Sequence, residues 1–346
     1  SNTKQMMQTR ANLIGRTYEK FIVLRPQEFV FNRRTTRNGE KIGMAYNNTD
    51  REYIFTNDYV AFRVKQEYLD KLLPDYLYLF FCRDEFDRYA RYKSTGSATE
   101  FFNWEDMCAV PFEIPPMDFQ QLVVNAYKVL NKRIETKQKI NDNLEATAQA
   151  YFDNLFFSCD DTDCTLADIA LVNPSRPLSK GVEARCFDMS TLPTSGCIPT
   201  GDTTKPYNGG VRFINGDTLI ARITPCLENG KAAYINILNE GEVAFGSTEY
   251  IVFASKDDIP SCFYYFLIRN SKFVTFALQF MNGSSGRQRV SGEELASFPL
   301  MIPSKEKLAA FNKVGKLVLE QMKESTEEIQ FLKQLQETIT ATLSSN

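Results

Sequence analysis

Cationic, amide and hydroxyl side chains are the residues whose types and spacing in this chain suit chemistry, and the chemistry is the holding of phosphates. Residues 10–41 carry Arg10, Arg16, Lys20, Arg25, Arg33, Arg34, Arg37 and Lys41, against the acids Glu19, Glu28 and Glu40. Residues 267–292 carry Arg269, Lys272, Arg287 and Arg289 and no acid. Within the second patch, Asn282-Gly283-Ser284-Ser285-Gly286-Arg287-Gln288-Arg289 is dense in small, hydroxyl, amide and guanidinium groups. Such a loop brings backbone N–H groups close to phosphates while Arg and Gln reach base edges. Arg91-Tyr92-Lys93-Ser94-Thr95-Gly96-Ser97 is a similar loop in the first half of the chain. A flexible solvated loop is the competing reading, and a cationic Gly-Ser loop occurring twice weakens it.

Other chemistries are removed by composition. The 346 residues include no histidine, so Ser-His-Asp and Cys-His nucleophiles, His bases and His-containing zinc sites are excluded for this chain alone. Cys82, Cys108, Cys159, Cys164, Cys186, Cys197, Cys226 and Cys262 form no C-x-x-C pair, which fits a reduced cytosolic protein. No signal segment opens the chain and no apolar run is long enough to cross a bilayer, so a cytoplasmic location without a membrane is expected. Glycine-rich nucleotide loops are missing. Ile114-Pro115-Pro116-Met117 lacks the amide or acid and the aromatic of an amino-methyltransferase loop and reads as a strand-to-helix connector. The acidic pairs Asp84-Glu85 and Asp257-Asp258 read as solvated faces or turns. A histidine-free, carboxylate-metal nuclease acting alone has only Asp84, Glu85 and Lys93 to draw on, and nothing repeats that grouping. The net charge of −3, from 40 cations and 43 acids, therefore conceals local cationic patches.

These patches lie on an imperfect internal repeat with a shift of about 190 residues. Pro26–Arg33 lies against Asn215–Arg222, each a turn and then a strand ending in Arg. Asn38-Gly39 matches Asn229-Gly230 as hairpin-turn signals, and the strand Tyr59–Phe62 matches Tyr250–Phe253. Pro74–Phe80 matches Pro260–Phe266, each opening an aromatic-rich helix of about 18 residues after a first-turn proline. Gly96-Ser97 matches Gly283-Ser284, and Val110–Pro115 matches Phe298–Pro303 before a long charged helix begins in each copy.

The long helices are predicted over 118–154 and 304–344, each about 55 to 60 Å at 1.5 Å per residue. In the second, Leu308, Phe311, Val318, Met322, Ile329, Leu332, Ile339 and Leu343 form a coiled-coil seam interrupted by Gly315, Ser325 and Gln336. The first offers Val123, Ala126, Leu130, Ile140, Leu144 and Tyr151, with Arg133 and Lys137 on the seam. Generic dimerisation helices are one reading, and the duplication favours an intramolecular antiparallel pair. A coiled-coil adaptor whose globular parts bind protein is a further alternative.

The residues now resemble a known family, the DNA-specificity (S) subunits of type I restriction-modification systems. The second copy carries the resemblance in Asp168-Ile169, Gly216–Lys231, Gly246-Ser247-Thr248-Glu249-Tyr250 and Gly283–Arg287. Its run Thr224-Pro225-Cys226-Leu227-Glu228-Asn229-Gly230-Lys231 is the most specific part, and the first copy is a more divergent match. The second copy has about fifty residues (158–210) before its register begins and the first about twenty, so the first recognition domain is expected to lack its leading part, including a strand and some DNA contacts.

The resemblance implies an α+β fold: two similar target-recognition domains in pseudo-twofold repeat, separated by two long antiparallel helices forming a coiled coil. The boundaries would be 1–117, 118–157 for the first spacer helix, 158–303, and 304–346 for the second. It implies a non-catalytic reader of a bipartite double-stranded DNA target whose helices set the spacer, half-sites one turn (about 34 Å) apart presenting the same face. Methyltransferase (M) and restriction/translocase (R) subunits would be the partners. S-adenosylmethionine, ATP and Mg would belong to those subunits, with no cofactor or metal in this chain. The expected DNA contacts are Arg33, Arg34, Arg37, Lys41, Lys93 and Ser97 in the first copy. In the second they are Lys205, Arg222, Asn229, Lys231, Ser284, Arg287, Gln288 and Arg289.

Overall fold

Short runs of β-branched and aromatic residues between turn residues form strands in both halves of the chain. The computed structural model describes residues 4, 6, 19–34, 41–96, 100–158, 161–284 and 286–343. The first half holds β1 (Ile22–Leu24), β2 (Phe29–Asn32), β3 (Met44–Tyr46), β4 (Tyr53–Phe55) and β5 (Tyr59–Phe62). The helices α1 (Pro74–Phe81), α2 (Asp84–Lys93), α3 (Trp104–Cys108) and α4 (Met117–Phe156) follow. The second half opens with β6 (Cys164–Thr165), α5 (Leu166–Ile169), β7 (Ala170–Val172), β8 (Glu183–Phe187), β9 (Thr203–Pro206) and β10 (Val211–Phe213). It continues with β11 (Thr218–Ala221), β12 (Ala232–Tyr234), β13 (Ala244–Gly246), β14 (Tyr250–Ser255), α6 (Ser261–Arg269) and α7 (Ser271–Gln279). It closes with α8 (Gly292–Ala296), β15 (Pro299–Leu300) and α9 (Lys305–Thr342).

The duplication is written in the strand registers. Antiparallel β2 and β5 pair Phe29 with Phe62 and Asn32 with Tyr59, while β11 and β14 pair Thr218 with Phe253 and Ala221 with Tyr250. The small ladder β1·β4 sets Ile22 opposite Phe55, and β10·β13 sets Val211 opposite Gly246. Even the turn before the central strand recurs. Gln27 (φ 62°) donates its amide to the Asn47 carbonyl at 2.8 Å, and Gly216 (φ 91°) donates to the Ile235 carbonyl at 2.7 Å. The first sheet runs β3-β2-β5, and the second runs β12-β11-β14 and gains β7. β13 is likewise continued by β8 and β9. Among the described residues the first repeat has no counterpart of β7, β8 or β9.

The chain divides into two compact units, Ser1–Ile134 with Phe331–Asn346, and Glu135–Gln330. Each unit thus holds one repeat and a stretch of both long helices, a division different from the four segments expected. In the first unit Gln336 donates to Asn131 at 2.6 Å. In the second, Lys137 meets Glu328 at 2.7 Å, Asn141 donates to Thr326 at 3.4 Å, and Lys307 donates to the Leu155 carbonyl at 2.7 Å. The numbers rise on one helix as they fall on the other, so the pairing is antiparallel.

Every expected seam position of α9 from Leu308 to Leu332 is buried, including Gly315 and Ser325. Of the expected α4 seam, Val123 is buried and Leu144 and Tyr151 pack into the core, whereas Ala126 and Ile140 are exposed, and the buried face also takes in Gln120, Val124, Ile134, Asn141, Ala148 and Phe152. Polar Gln120 and Asn141 occupy seam places that an apolar count passes over. Gln120 is held there by hydrogen bonds from its amide to the carbonyls of Lys71 and Pro115, and to its oxygen from the Leu73 amide.

The two aromatic helices expected to run about 18 residues are each broken in the middle. Arg83 and Asn270 take extended backbone (ψ 147° and 135°) between α1 and α2 and between α6 and α7. Asn270 stops one helix and caps the next, its side-chain oxygen accepting from the amides of Lys272 and Phe273. Asn229-Gly230 does not form a tight hairpin. It ends the ten-residue connection 222–231 between β11 and β12, where Gly230 (φ 71°) donates to the Leu227 carbonyl. Asn38-Gly39 lies outside the described residues. No helix among the described residues is long and apolar enough to cross a membrane.

Candidate nucleic-acid interface

In the second repeat, the β11–β12 connection and the α7–α8 loop are stitched together at the mouth of the sheet. Asn282 and Arg289 exchange backbone hydrogen bonds at 2.9 and 2.8 Å, closing the Gly-Ser loop between them. Gly283 (φ 130°) fits this closure because a Cβ there would sit 3.1 Å from the Arg287 carbonyl oxygen. Thr224 donates its amide to the Gln288 carbonyl (3.0 Å), and the Gln288 amide donates to the Thr224 hydroxyl (3.1 Å). Val290 donates to the Arg222 carbonyl and Arg222 to the Glu249 carbonyl, at 3.0 and 2.9 Å.

The Arg289 guanidinium completes the clamp. Its Nε donates to both Glu249 carboxylate oxygens at 2.9 Å and its Nη2 to Oε1 at 2.7 Å. This paired geometry holds the Glu249 carboxyl below the usual carboxylate range, with the Arg222 charge adding to the effect. Arg222 itself is half-buried, with its Nε out of water and unpaired.

Of the expected DNA contacts, the structure brings Arg222, Ser284, Arg287, Gln288 and Arg289 into this one place. Ser284 and Arg287 are exposed, and the Arg287 side chain has no partner among the described residues. Lys231 and Asn229 stand at the other end of the β11–β12 connection. The Lys231 ammonium donates to the Met189 carbonyl at 2.6 Å, whereas Asn229 is exposed. Lys205 pairs with Asp188 at 2.9 Å across β9 and the end of β8.

The same backbone stitching recurs in the first repeat. Thr95 and Phe101 exchange hydrogen bonds at 3.1 and 2.9 Å, Phe102 donates to the Arg33 carbonyl at 2.9 Å, and Arg34 bridges to Phe101. Arg34 is tied to Asp58 at 3.0 Å and Lys41 lies 3.7 Å from Asp84. Lys93 stands 5.9 Å from the ring centres of Tyr89 and Tyr92. Arg37 and Ser97, with Arg10, Arg16 and Ser285, lie outside the described residues.

Three features escaped the charge count. Glu249, the residue before β14, braces its loop through Arg289, a role signalled only by Gly246-Ser247-Thr248-Glu249-Tyr250, while Asp58, the residue before β5, holds Arg34. Tyr92 is 83% exposed beside Lys93, a large aromatic surface next to a cation. Arg269, counted with the surface cations, is turned inward with its side chain 15% exposed. Asp84, Glu85 and Lys93 are not assembled as a metal grouping: Glu85 pairs with Arg88 at 2.9 Å, and Asp84 faces Lys41. Among the described residues no set of three or more His, Cys, Asp or Glu side chains is arranged to hold a metal ion.

The chain is 28% identical over 197 residues to the type I restriction enzyme EcoEI specificity subunit of Escherichia coli, covering 52% of this chain and 32% of that protein. It is 36% identical over 96 residues to the type I restriction enzyme EcoAI specificity subunit of Escherichia coli, covering 28% of this chain and 16% of that one. The match therefore spans about a third of the first relative's length. A crystal structure of the type I restriction-modification system S subunit from M. genitalium shares the fold at 14% identity, with a TM-score of 0.55 over 98% of this chain and 88% of that one. The type I restriction modification DNA specificity domain matches residues 13–146 and 200–341, so the chain belongs to that family.

Proposed function

We propose that this chain is the DNA sequence-recognition subunit of a type I restriction-modification complex. Each repeat reads one half of a bipartite duplex target, and the chain performs no chemistry. Family membership supports the class of activity. The observation that carries the reading is the recurrence, in both repeats, of a loop stitched to a neighbouring connection beside cations, as phosphate holding and base reading require. M and R subunits would supply adenine methylation with S-adenosylmethionine and ATP-driven, Mg-dependent translocation and cleavage, and the assembly would work in the cytoplasm. In the second repeat Arg287, Ser284, Gln288 and Asn229 are the contacts nearest to free, with Arg222, Lys205, Lys231 and Arg289 shaping the surface. In the first, Arg33 and Lys93 take the former role and Arg34 and Lys41 the latter.

The test is selection from a random duplex pool by the chain assembled with its methyltransferase subunit. Enrichment of a split sequence is expected, with affinity falling as salt rises. Arg287→Ala should lower the slope of log affinity against log salt by about 1 if it neutralises one phosphate. No sequence preference would remove the reading, and nuclease activity lost on Asp84→Ala would replace it.

A further inference from the structure

Arg269 ends α6 inside a cationic stretch, yet its fork points into the protein. Nη1 donates to the Gly230 carbonyl at 2.6 Å and Nη2 to the Gly196 carbonyl at 2.9 Å. Nε lies 3.5 Å from Oε1 of Glu145 on α4, whose side chain is 17% exposed. Glu145 also accepts from the Gly196 amide at 3.2 Å and from the hydroxyl of Tyr265, which is fully buried. The guanidinium stands 5.3 Å from the Tyr265 ring centre. One side chain thus joins α4, the 188–202 segment and the β11–β12 connection.

The surroundings make this a built junction. Glu145, Gln149 and Asp153 lie one turn apart along one face of α4. Gln149 donates to the Phe266 carbonyl at 3.0 Å and Asp153 accepts from Asn270 at 2.8 Å, so this face also holds the end of α6. At its far end the β11–β12 connection is pinned by Gln288 and Val290, and at its near end by Arg269 alone among guanidinium groups in the described residues. In the first repeat Cys82 stands at the matching place when counted back from the helix break, and the next residue, Arg83, turns its guanidinium elsewhere, donating to the Phe80 and Leu343 carbonyls at 3.1 and 3.0 Å.

We propose that Arg269 is a positioning residue for DNA reading by the second repeat, fixing the connection that carries Asn229 and Lys231 to the long helix α4. This rests on the DNA-recognition reading above. A connection held at both ends loses little freedom on binding, so correct contacts are separated from wrong ones more sharply. Lysine cannot replace the fork, because a single ammonium does not present two parallel donors and a charge to the carboxylate at once.

The experiment compares wild type with Arg269→Lys in the full chain assembled with its methyltransferase subunit. The probes are the duplex that wild type enriches from a random pool and a duplex of unrelated sequence. Arg269→Lys is expected to weaken binding to the enriched duplex by about tenfold, with unchanged affinity and salt slope on the unrelated one. Hydrogen exchange at the Gly230 and Lys231 amides should quicken. A merely structural role would lower both affinities together. Glu145→Gln, which preserves volume and α4, is expected to give the same loss in weaker form and serves if Arg269→Lys does not fold. Wild-type discrimination in both variants, or unchanged exchange at Gly230 and Lys231, overturns the positioning role alone. A wild type that enriches no sequence overturns the DNA reading and this proposal with it.

Discussion

The two repeats share a backbone and differ in where they put the arginine. Asp58 and Glu249 occupy the same place, one residue before β5 and β14, beside the stitched loop. In the second repeat the partner is Arg289, which reaches from the loop itself and makes three hydrogen-bond contacts with Glu249. In the first, Phe101 stands where Arg289 would, and Asp58 takes Arg34 from the end of β2 with one. Main-chain pairing is thus enough to give the loop its path, since any side chain brings the same N–H and C=O groups. The side chain decides whether the loop is also tied to the sheet. The helix ends differ in the same way: Arg269 reaches the Gly230 and Gly196 carbonyls, whereas Arg83 reaches those of Phe80 and Leu343.

The comparison predicts separate cores beneath the shared outline, and this is where the largest effect is expected. Phe263 is fully buried against Phe152, Phe156 and Tyr264, with ring centres 5.0 to 5.7 Å away. Its truncation to Ala should cost about 3–5 kcal/mol, the range for a large buried aromatic. Tyr76 has the equivalent place in α1, packed on Phe112 and Phe119 at 6.4 Å. Trp104, the single tryptophan, belongs to the first unit, so its fluorescence reads that unit while circular dichroism reads both. Phe263→Ala should shift the denaturant midpoint seen by circular dichroism and leave the Trp104 transition in place. Tyr76→Ala should move the Trp104 transition. If either substitution moves both signals equally, the repeats unfold as one and the comparison of independent cores fails.

Much of this was legible because periodicity and turn chemistry are local. The short apolar runs of β2 and β11, the turns before them at Gln27 and Gly216, and the seam of α9 through Gly315 and Ser325 follow from residue spacing. What was hidden depended on partners far along the chain. Asn141 and Gln120 are polar, so an apolar count passes over two buried positions of α4 and takes the exposed Ala126 and Ile140 instead. Arg83 and Asn270 interrupt aromatic runs that look continuous, because an extended residue with a capping side chain leaves no gap in hydrophobicity. Arg269 reads as a surface cation because a charge count has no direction. Its acid lies 124 positions earlier, on α4. The family resemblance carried what composition could not, the class of activity.

Acid should next separate the clamps. Arg289 keeps the Glu249 carboxyl ionised below its usual range, so this pair contributes stability that is complete above about pH 4.5, the ordinary glutamate value, and is lost as pH falls through the depressed value. The stability of wild type minus that of Glu249→Gln should therefore shrink on acidification below that point. In an Arg289→Ala background this pH-dependent difference should largely vanish. Chemical denaturation across pH 3 to 6, about 1.5 units either side of the ordinary value, measures it. A difference that persists without Arg289 would assign the effect to Arg222 and not to the clamp.

The smallest effect is expected in the first repeat. Arg34 and Asp58 have side chains 43% and 49% exposed, so water screens the pair and both side chains lose freedom to form it. A double-mutant cycle with Arg34→Ala and Asp58→Ala should give a coupling of ~0.5 kcal/mol or less, the range of solvent-exposed ion pairs. The same cycle on Arg289 and Glu249 should give the larger coupling and should also alter hydrogen exchange at Arg287 and Gln288, since Arg289 reaches Glu249 from the loop itself. Arg34→Ala should change exchange at Thr95 and Phe101 less, because two backbone hydrogen bonds join those residues to each other. Equal couplings in the two repeats would mean that backbone stitching and not arginine placement sets the rigidity of both loops. The asymmetry between the two repeats would then have to be sought at the helix ends, at Arg269 and Arg83.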